Sequence, residues 1–368
     1  RKPRVLREDI SHVFNTQKPI LVVGFSNFKT NNMTINEWLN TDLGIQIWKK
    51  KYQHNEETFD QWLDRVSGKD ERVKDLIVKK KFLFGGRTLS NRGLNSGSYS
   101  NCYSSGFVED DLLAIMQVNT NLAMTYKAQG GQGVSLSKIR PKGTLIGGRY
   151  ESDGIVPIME MYNRTTESIM QGGSRKGALM LSIDITHKEA ETFINIKSDG
   201  TRINKANLSL EIDDNFMSIV EESYKTNTEI PLQITRTYGS QKIEYTIIPI
   251  ILYKQLIKQA HLSAEPGVLF VDKFRNYNLM EFCDDYQIET CNPCGEQPLP
   301  KDGACNLGSI NISKYVRNPF TGYASFDMNQ FIEDVGIAVE ALDNLIDENL
   351  PNHALEAQRQ MSKDYRNI

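Results

Sequence analysis

From Gly85 onward, short apolar runs alternate with glycine turns and amphipathic stretches. That alternation limits the chain to a few architectures. Asp110 to Gln129 reads as a helix: acidic residues open it, Leu112, Leu113, Ile115, Met116, Leu122 and Ala123 form the buried stripe, and Gly130-Gly131 ends it. Val134-Ser135-Leu136-Ser137 alternates like a strand. Ile155 to Met170 reads as a helix, and Ala178 to Ile185 and Asn207 to Ile212 as strands. Val268 to Val271 reads as a short buried strand. Phe331 to Asn349 reads as a helix with Ile332, Val335, Val339, Leu342 and Ile346 on its buried face, stopped by Pro351. Strands alternating with helices argue for a parallel α/β sheet or barrel. Residues 1–85 have another texture. Trp38, Leu43, Ile45, Trp48, Tyr52, Trp62, Leu63 and Val66 recur at helical intervals among many charges, so this segment reads as a helical lead-in anchored by its tryptophans.

Bulk properties exclude several function classes. At 368 residues, 39% hydrophobic and 24% charged, the chain can fill a globular core. A net charge of −3 gives no broad grip on nucleic acid or an anionic membrane. The apolar run Pro19 to Phe25 is too short to span a bilayer, and no secretory leader is visible. Five cysteines, odd in number and clustered, read as intracellular thiols rather than a secreted disulfide framework, which points to the cytoplasm.

The cysteine cluster carries the most chemistry. Residues 290–305 hold three of the five cysteines: Cys291, Cys294 and Cys305. Cys291 and Cys294 form a C-x-x-C pair, which on spacing alone leaves three readings open. One is redox chemistry, one is zinc with Cys305 as a third ligand, and one is simply buried thiols. Asn292 and Glu296 favour chemistry. On an extended loop, Asn292, Cys294 and Glu296 project to one side, placing an amide, a thiol and a carboxylate together. That is equipment for abstracting an atom through sulfur while an acid/base group moves a proton. Gln171-Gly172-Gly173-Ser174-Arg175-Lys176-Gly177 joins two glycines and two cations on a helix-to-strand connection, which suits phosphate or a base. It lacks the ending of a P-loop. Lys138-Ile139-Arg140-Pro141-Lys142-Gly143 is either a solvated basic turn or a phosphate contact. Gly130-Gly131-Gln132-Gly133 lacks dinucleotide-fingerprint spacing and follows a helix, so that reading is rejected. The five histidines have no ligand spacing, and no residue is assigned to a metal.

Taken in order, these segments resemble the catalytic large subunit of ribonucleotide reductase. The likeness rests on Asn101-Cys102; Gly130 to Gly133 with Lys138 to Gly143; Gln171 to Ala178; Asn207-Leu208-Ser209; Glu265-Pro266-Gly267; Asn292 to Leu299; and Cys305-Asn306-Leu307-Gly308-Ser309-Ile310-Asn311. It implies a helical N-terminal region (1–85) and, over 86–368, the first part of a ten-stranded α/β barrel. It further implies that Cys294 becomes a thiyl radical that takes the ribose 3′-hydrogen. Glu296 would be general base on the 3′-hydroxyl, and Asn292 would hold the sugar hydroxyls. Cys102 and Cys305 would form the reducing dithiol, which requires their Cα atoms within roughly 6 Å. Thr88 and Asn101 would contact the substrate. Asp110, Lys138 and Arg140 would bind a dNTP or ATP effector, and Gln171 to Gly177 would relay its identity to the substrate base. Cys283 and Cys291 inherit no role.

The same resemblance implies a homodimer, a dithiol reductant such as thioredoxin, and either adenosylcobalamin or a radical-generating partner subunit, the wording of the cysteine loop being nearest the cobalamin class. Family members continue past Ile368 with the rest of the barrel. The expectation is therefore that this chain alone does not turn over, its C-terminal half coming from further sequence or another chain. The short front end does not look like a full regulatory ATP domain.

Overall fold

A computed structural model describes residues 33–94, 97–171, 175–198 and 200–368. Among the described residues four helices come first: α1 (Ile35–Leu39), α2 (Asp42–Lys51), α3 (Phe59–Ser67) and α4 (Glu71–Val78). Thr34 with Glu37, and Thr58 with Gln61, close reciprocal capping boxes that fix where α1 and α3 begin. Trp38, Trp48 and Trp62 are buried, as their spacing implies, whereas Leu43 is exposed. The segment does not make a core by itself. Its tryptophans share one apolar cluster with Ala338, Ala341, Leu342 and Leu345 of a helix far along the chain. Strand β1 (Phe82–Phe84) extends the same attachment and pairs antiparallel with residues 308–310.

After the short helix α5 (Gly86–Asn91), strands and helices alternate. They run β2 (Cys102–Phe107), α6 (Leu112–Lys127), β3 (Gly131–Ser135), α7 (Val156–Ser168), β4 (Leu179–Asp184), α8 (Ala190–Asn195), β5 (Ala206–Ile212) and α9 (Asp214–Thr226). An antiparallel hairpin, β6 (Leu232–Tyr238) with β7 (Gln241–Ile247), precedes α10 (Pro249–Ser263), β8 (Gly267–Phe270) and α11 (Val271–Asn276). Then come β9 (Ile288–Cys291), β10 (Pro298–Pro300), β11 (Ala304–Cys305), β12 (Gly308–Ile310), α12 (Met328–Asn349) and α13 (Glu356–Tyr365). The main sheet has six strands in the order β8-β5-β4-β3-β2-β11, parallel throughout except for β11.

The period of two sorts this sheet by chemistry. Val134, Leu179, Leu181, Ile183, Leu208, Leu210 and Ile212 point one way. There they bury Leu122, Tyr126, Met159, Tyr162, Phe193 and Phe216 of the covering helices. The alternate residues, among them Cys102, Ser104, Gly131, Gly133, Ser135, Ser182 and Asn207, share the opposite face. Those named are small or polar, while Met180 and Leu269 on the same face pack with Cys291 of the β9–β10 hairpin that this face receives.

Three expectations need correction. Helix α6 buries Val118, Leu122, Thr125 and Tyr126, while Leu112 (74% exposed), Leu113 (76%) and Met116 face outward. The helix is apolar on two sides, so periodicity alone picks the wrong stripe. Helix α12 likewise buries Asp334, Ala338, Ala341, Leu342, Leu345 and Ile346, leaving Ile332 and Val339 exposed. Here Lys81, 2.6 Å from Asp334, lets a carboxylate sit inside. Finally, β8 is an edge strand with only β5 beside it, so Val268 and Phe270 are exposed where a buried strand was expected.

Candidate active site

The loop between β9 and β10 is a tight hairpin, not the extended segment expected. Cys291 pairs with Pro298. Asn292 N–H donates to the Gln297 carbonyl at 3.1 Å, and Gln297 N–H donates to Asn292 Oδ1 at 3.1 Å. Gly295 N–H closes a turn onto the Asn292 carbonyl with Gly295 at φ +80°, a conformation that favours glycine. Asn292 is fully buried, and among the described residues its Nδ2 has no hydrogen-bond partner.

The turn nonetheless brings the expected groups together. One ligand atom each of Cys102, Cys294 and Glu296 lie within 4.8 Å of one another. Cys305 stands directly across from Cys102 in the β2–β11 ladder, its Sγ 3.9 Å from the Cys102 carbonyl. Hydrogen bonding from the Cys294 thiol pulls the Cys102 pKa down, but the Cys305 hydrogen bond and burial outweigh it and push it up to about 12. The nearby Asn292 amide pulls it down slightly as well. Cys102 is therefore a protonated thiol at neutral pH, a hydrogen donor rather than a nucleophile. Cys294 and Glu296 are exposed. The hairpin lies on the open face of a sheet whose end strands do not pair with each other.

Gly131 and Gly133 seat the hairpin, a role missed in the sequence. A Cβ at Gly133 would lie 1.8 Å from the Cys291 carbonyl oxygen, and one at Gly131 would lie 2.8 Å from Pro293. Asn207 Nδ2 donates to the Pro293 carbonyl at 3.1 Å, and Ser182 Oγ meets Thr290 Oγ1 at 3.1 Å. The signal was present as two glycines at alternate positions of one strand. Below them the buried Glu211 accepts from Ser182 at 2.6 Å and Ser137 at 2.8 Å, and burial pushes its pKa up.

The remaining candidates fall elsewhere. Thr88 is fully buried with its hydroxyl 3.5 Å from the Tyr99 carbonyl, so it does not face the open side. Asn101 sits beside Cys102, with Oδ1 lacking a partner among the described residues. Cys291, the other half of the C-x-x-C, is buried, and burial with the nearby Glu211 and Glu296 carboxylates pushes it up to about 12. It stands outside the group with Cys294, which disfavours a zinc site built on that pair. Cys283 lies in the loop before β9.

Asp110, Lys138 and Arg140 do converge. They line a cavity of about 500 Å³ with Glu109, Asp111, Ser137 and residues 236–239. Arg140 Nε donates to Asp110 at 2.7 Å, and Lys138 pairs with Glu109 at 2.6 Å. This cavity opens at the carboxyl ends of β2, β3 and β4, whereas the hairpin tip touches the amino ends of β2, β3 and β5. Gln171 and Arg175-Lys176 form a two-stranded ladder ahead of β4, on the tip's side of the sheet. Gly177 lies close to the Tyr126 ring. Gly172, Gly173 and Ser174 lie outside the described residues.

The ribonucleotide reductase barrel domain matches residues 100–368. The chain belongs to the ribonucleotide reductase family. It is similar to a vitamin B12-dependent ribonucleoside-diphosphate reductase of Thermoplasma acidophilum, with 32% identity over 80% of this chain and 38% of that protein. A ribonucleoside-diphosphate reductase subunit alpha of Chlamydia pneumoniae is 27% identical over 71% of this chain and 27% of its own length. The reductase fold is also that of the class Id ribonucleotide reductase alpha subunit of Actinobacillus ureae, with TM-score 0.70 and 17% identity over 91% of this chain and 60% of that one. The chain thus spans well under half the length of the curated relatives it matches. Among the described residues no helix is long and apolar enough to cross a membrane.

Proposed function

We propose that this chain carries the reducing site of a ribonucleoside-diphosphate reductase, converting ribonucleotides to 2′-deoxyribonucleotides for DNA replication. The observation that carries the reading is the meeting of Cys102, Cys294 and Glu296 with Cys305 paired across from Cys102. In this reading a thiyl radical on Cys294 takes the ribose 3′-hydrogen, and Glu296 takes the 3′-hydroxyl proton. The 2′-hydroxyl leaves as water with a proton from one thiol of the Cys102–Cys305 pair. The two thiols supply two electrons and close one disulfide, C2′ gains the hydrogen of the second thiol, Glu296 returns the 3′-hydroxyl proton, and Cys294 returns the 3′-hydrogen. The protonated state of Cys102 suits that donation. A dithiol such as thioredoxin resets the pair.

Adenosylcobalamin, a form of the vitamin B12 on which several relatives are named as dependent, or a radical-generating subunit would supply the one-electron oxidation of Cys294. The exposed Cys294 thiol fits such an initiator, and no residue is assigned to hold a corrin. The Asp110–Arg140 cavity is read as the site of a dNTP or ATP effector, with 171–177 as the relay. The exposed Leu112, Leu113 and Met116 of α6 support a homodimer. The open sheet edges support a second reading, in which this chain acts only beside a polypeptide that supplies the rest of the barrel.

The test is Cys294→Ala in an assembled enzyme that contains these residues. Deoxyribonucleotide formation should vanish while nucleotide binding survives, and residual product would end the assignment. Adding the complementary barrel segment to this chain decides the second reading by whether activity appears only in the mixture.

A further inference from the structure

The β6–β7 hairpin is an insertion between α9 and α10 that takes no part in the main sheet. Its outward residues alternate with half-buried ones along both strands, yet its last β6 residue, Tyr238, is only 6% exposed. It is held over the carboxyl ends of the strands by specific bonds. Arg236 Nη2 donates to Asp184 at 2.6 Å and to Thr186 at 2.7 Å, and the Tyr245 hydroxyl donates to the Thr186 carbonyl at 2.7 Å. At its turn, Gln241 Oε1 accepts from Leu145 N–H at 3.0 Å, and Arg140 donates to the Leu145 carbonyl at 3.2 Å. The hairpin is thus tied to the loop that carries the effector-binding candidates.

Arg236, Thr237, Tyr238 and Gly239 make one wall of the 500 Å³ cavity. Ligands of parallel α/β sheets bind at these carboxyl ends. The Tyr238 hydroxyl and Arg236 Nε are buried there, and neither has a hydrogen-bond partner among the described residues. A buried tyrosine hydroxyl normally finds one, because leaving it unmet costs free energy.

We propose that this hairpin completes the nucleotide pocket and that the Tyr238 hydroxyl donates a hydrogen bond to a bound nucleoside triphosphate, making Tyr238 a ligand-recognition residue. This rests on reading the Asp110–Arg140 cavity as the effector site. Burial holds the phenol protonated, so it is available as a donor at neutral pH.

The experiment measures binding of dATP, dGTP, dTTP, dCTP and ATP, each alone, to the 368-residue chain by calorimetry. Tyr238→Phe keeps the ring and removes only the hydroxyl. It should weaken the tightest nucleotide about tenfold, the worth of one such bond, with an unchanged unfolding midpoint without ligand. Arg140→Ala should weaken binding as well. If Arg140→Ala lowers affinity and Tyr238→Phe stays within about twofold, the hairpin has no recognition role and the pocket reading stands. If the parent binds none of the five, or Arg140→Ala has no effect, the pocket reading fails and takes this inference with it. An affinity loss that only tracks a lower unfolding midpoint overturns the recognition role.

Discussion

Gly133→Ala is the sharpest test of how the site is held. The added Cβ would stand 1.8 Å from the Cys291 carbonyl oxygen and 2.9 Å from its carbon. Reaching even 3.0 Å from the oxygen requires the hairpin and sheet to part by about 1.2 Å (3.0 − 1.8). Both partners are backbone, so no side chain can rotate away. Overpacking of this kind costs about 1–3 kcal/mol, and the rigid contact places this case near the upper figure. Gly133 does not have a positive φ, so the backbone itself accepts alanine and the whole effect comes from space. Gly336→Ala is the matched control. That glycine lies inside α12 with nothing within 4 Å of the new Cβ. It should stabilise the chain by about 0.5–1 kcal/mol through helix entropy. The assay is equilibrium urea unfolding of both variants beside the parent. In an assembled enzyme, a displacement of about 1 Å at the hairpin should also lower turnover by about 100-fold. Parent-like stability for Gly133→Ala would refute the claim that the strand is glycine here to admit the hairpin.

The thiols Cys102 and Cys291 are held near 12 in the fold against an ordinary value of 9.0. Folding favours their protonated form, so their contribution is full below pH 9 and is lost as pH rises toward 12. An unfolding midpoint that falls on going from pH 8 to 10.5 is expected, and a flat profile would count against their burial. In the same experiment iodoacetamide at pH 8 should modify exposed Cys294 well before Cys291, as peptide mapping would read. Leu113→Asp places a charge on the exposed side of α6. It should turn a dimer into a monomer in sedimentation velocity without lowering the unfolding midpoint, and a persistent dimer would move the interface elsewhere.

The alternation of strands and helices was legible because strand and helix periods differ, and the strands Leu179–Asp184 and Ala206–Ile212 lie within a residue or so of their expected bounds. What failed was the choice of face. Helices α6 and α12 carry apolar residues on two sides, and only tertiary contacts decide which side is covered. The cluster around Cys294 was legible as chemistry, but its geometry was not. Asn292 was expected to reach outward from an extended loop. Instead its Oδ1 is spent on Gln297 N–H, because six residues joining two antiparallel strands must turn. The cross-strand partnership of Cys102 and Cys305 joins residues about 200 positions apart (305 − 102), and no local pattern encodes it. Gly131 and Gly133 were visible, but once the dinucleotide reading was rejected no role was assigned to the space they leave.

The sheet also separates the two candidate sites in a way that bears on regulation. Cys102 begins β2 and Asp110 follows its end, so a strand of about 3.3 Å per residue sets them roughly 17 Å apart or more. Helix α6 spans the same gap. Asp111 caps its start beside the cavity proposed for the effector, and Tyr126 near its end packs on Gly177. Sixteen residues make about 24 Å of helix, a long path for a signal within one chain. A twofold axis crossing α6 would set two copies antiparallel, bringing the cavity of one toward Gly177 of the other. The exposed Leu112, Leu113 and Met116 lie where such pairing would cover them. In that arrangement effector and substrate sites communicate between chains, so a monomeric Leu113→Asp protein should still bind effector but lose its influence on substrate choice.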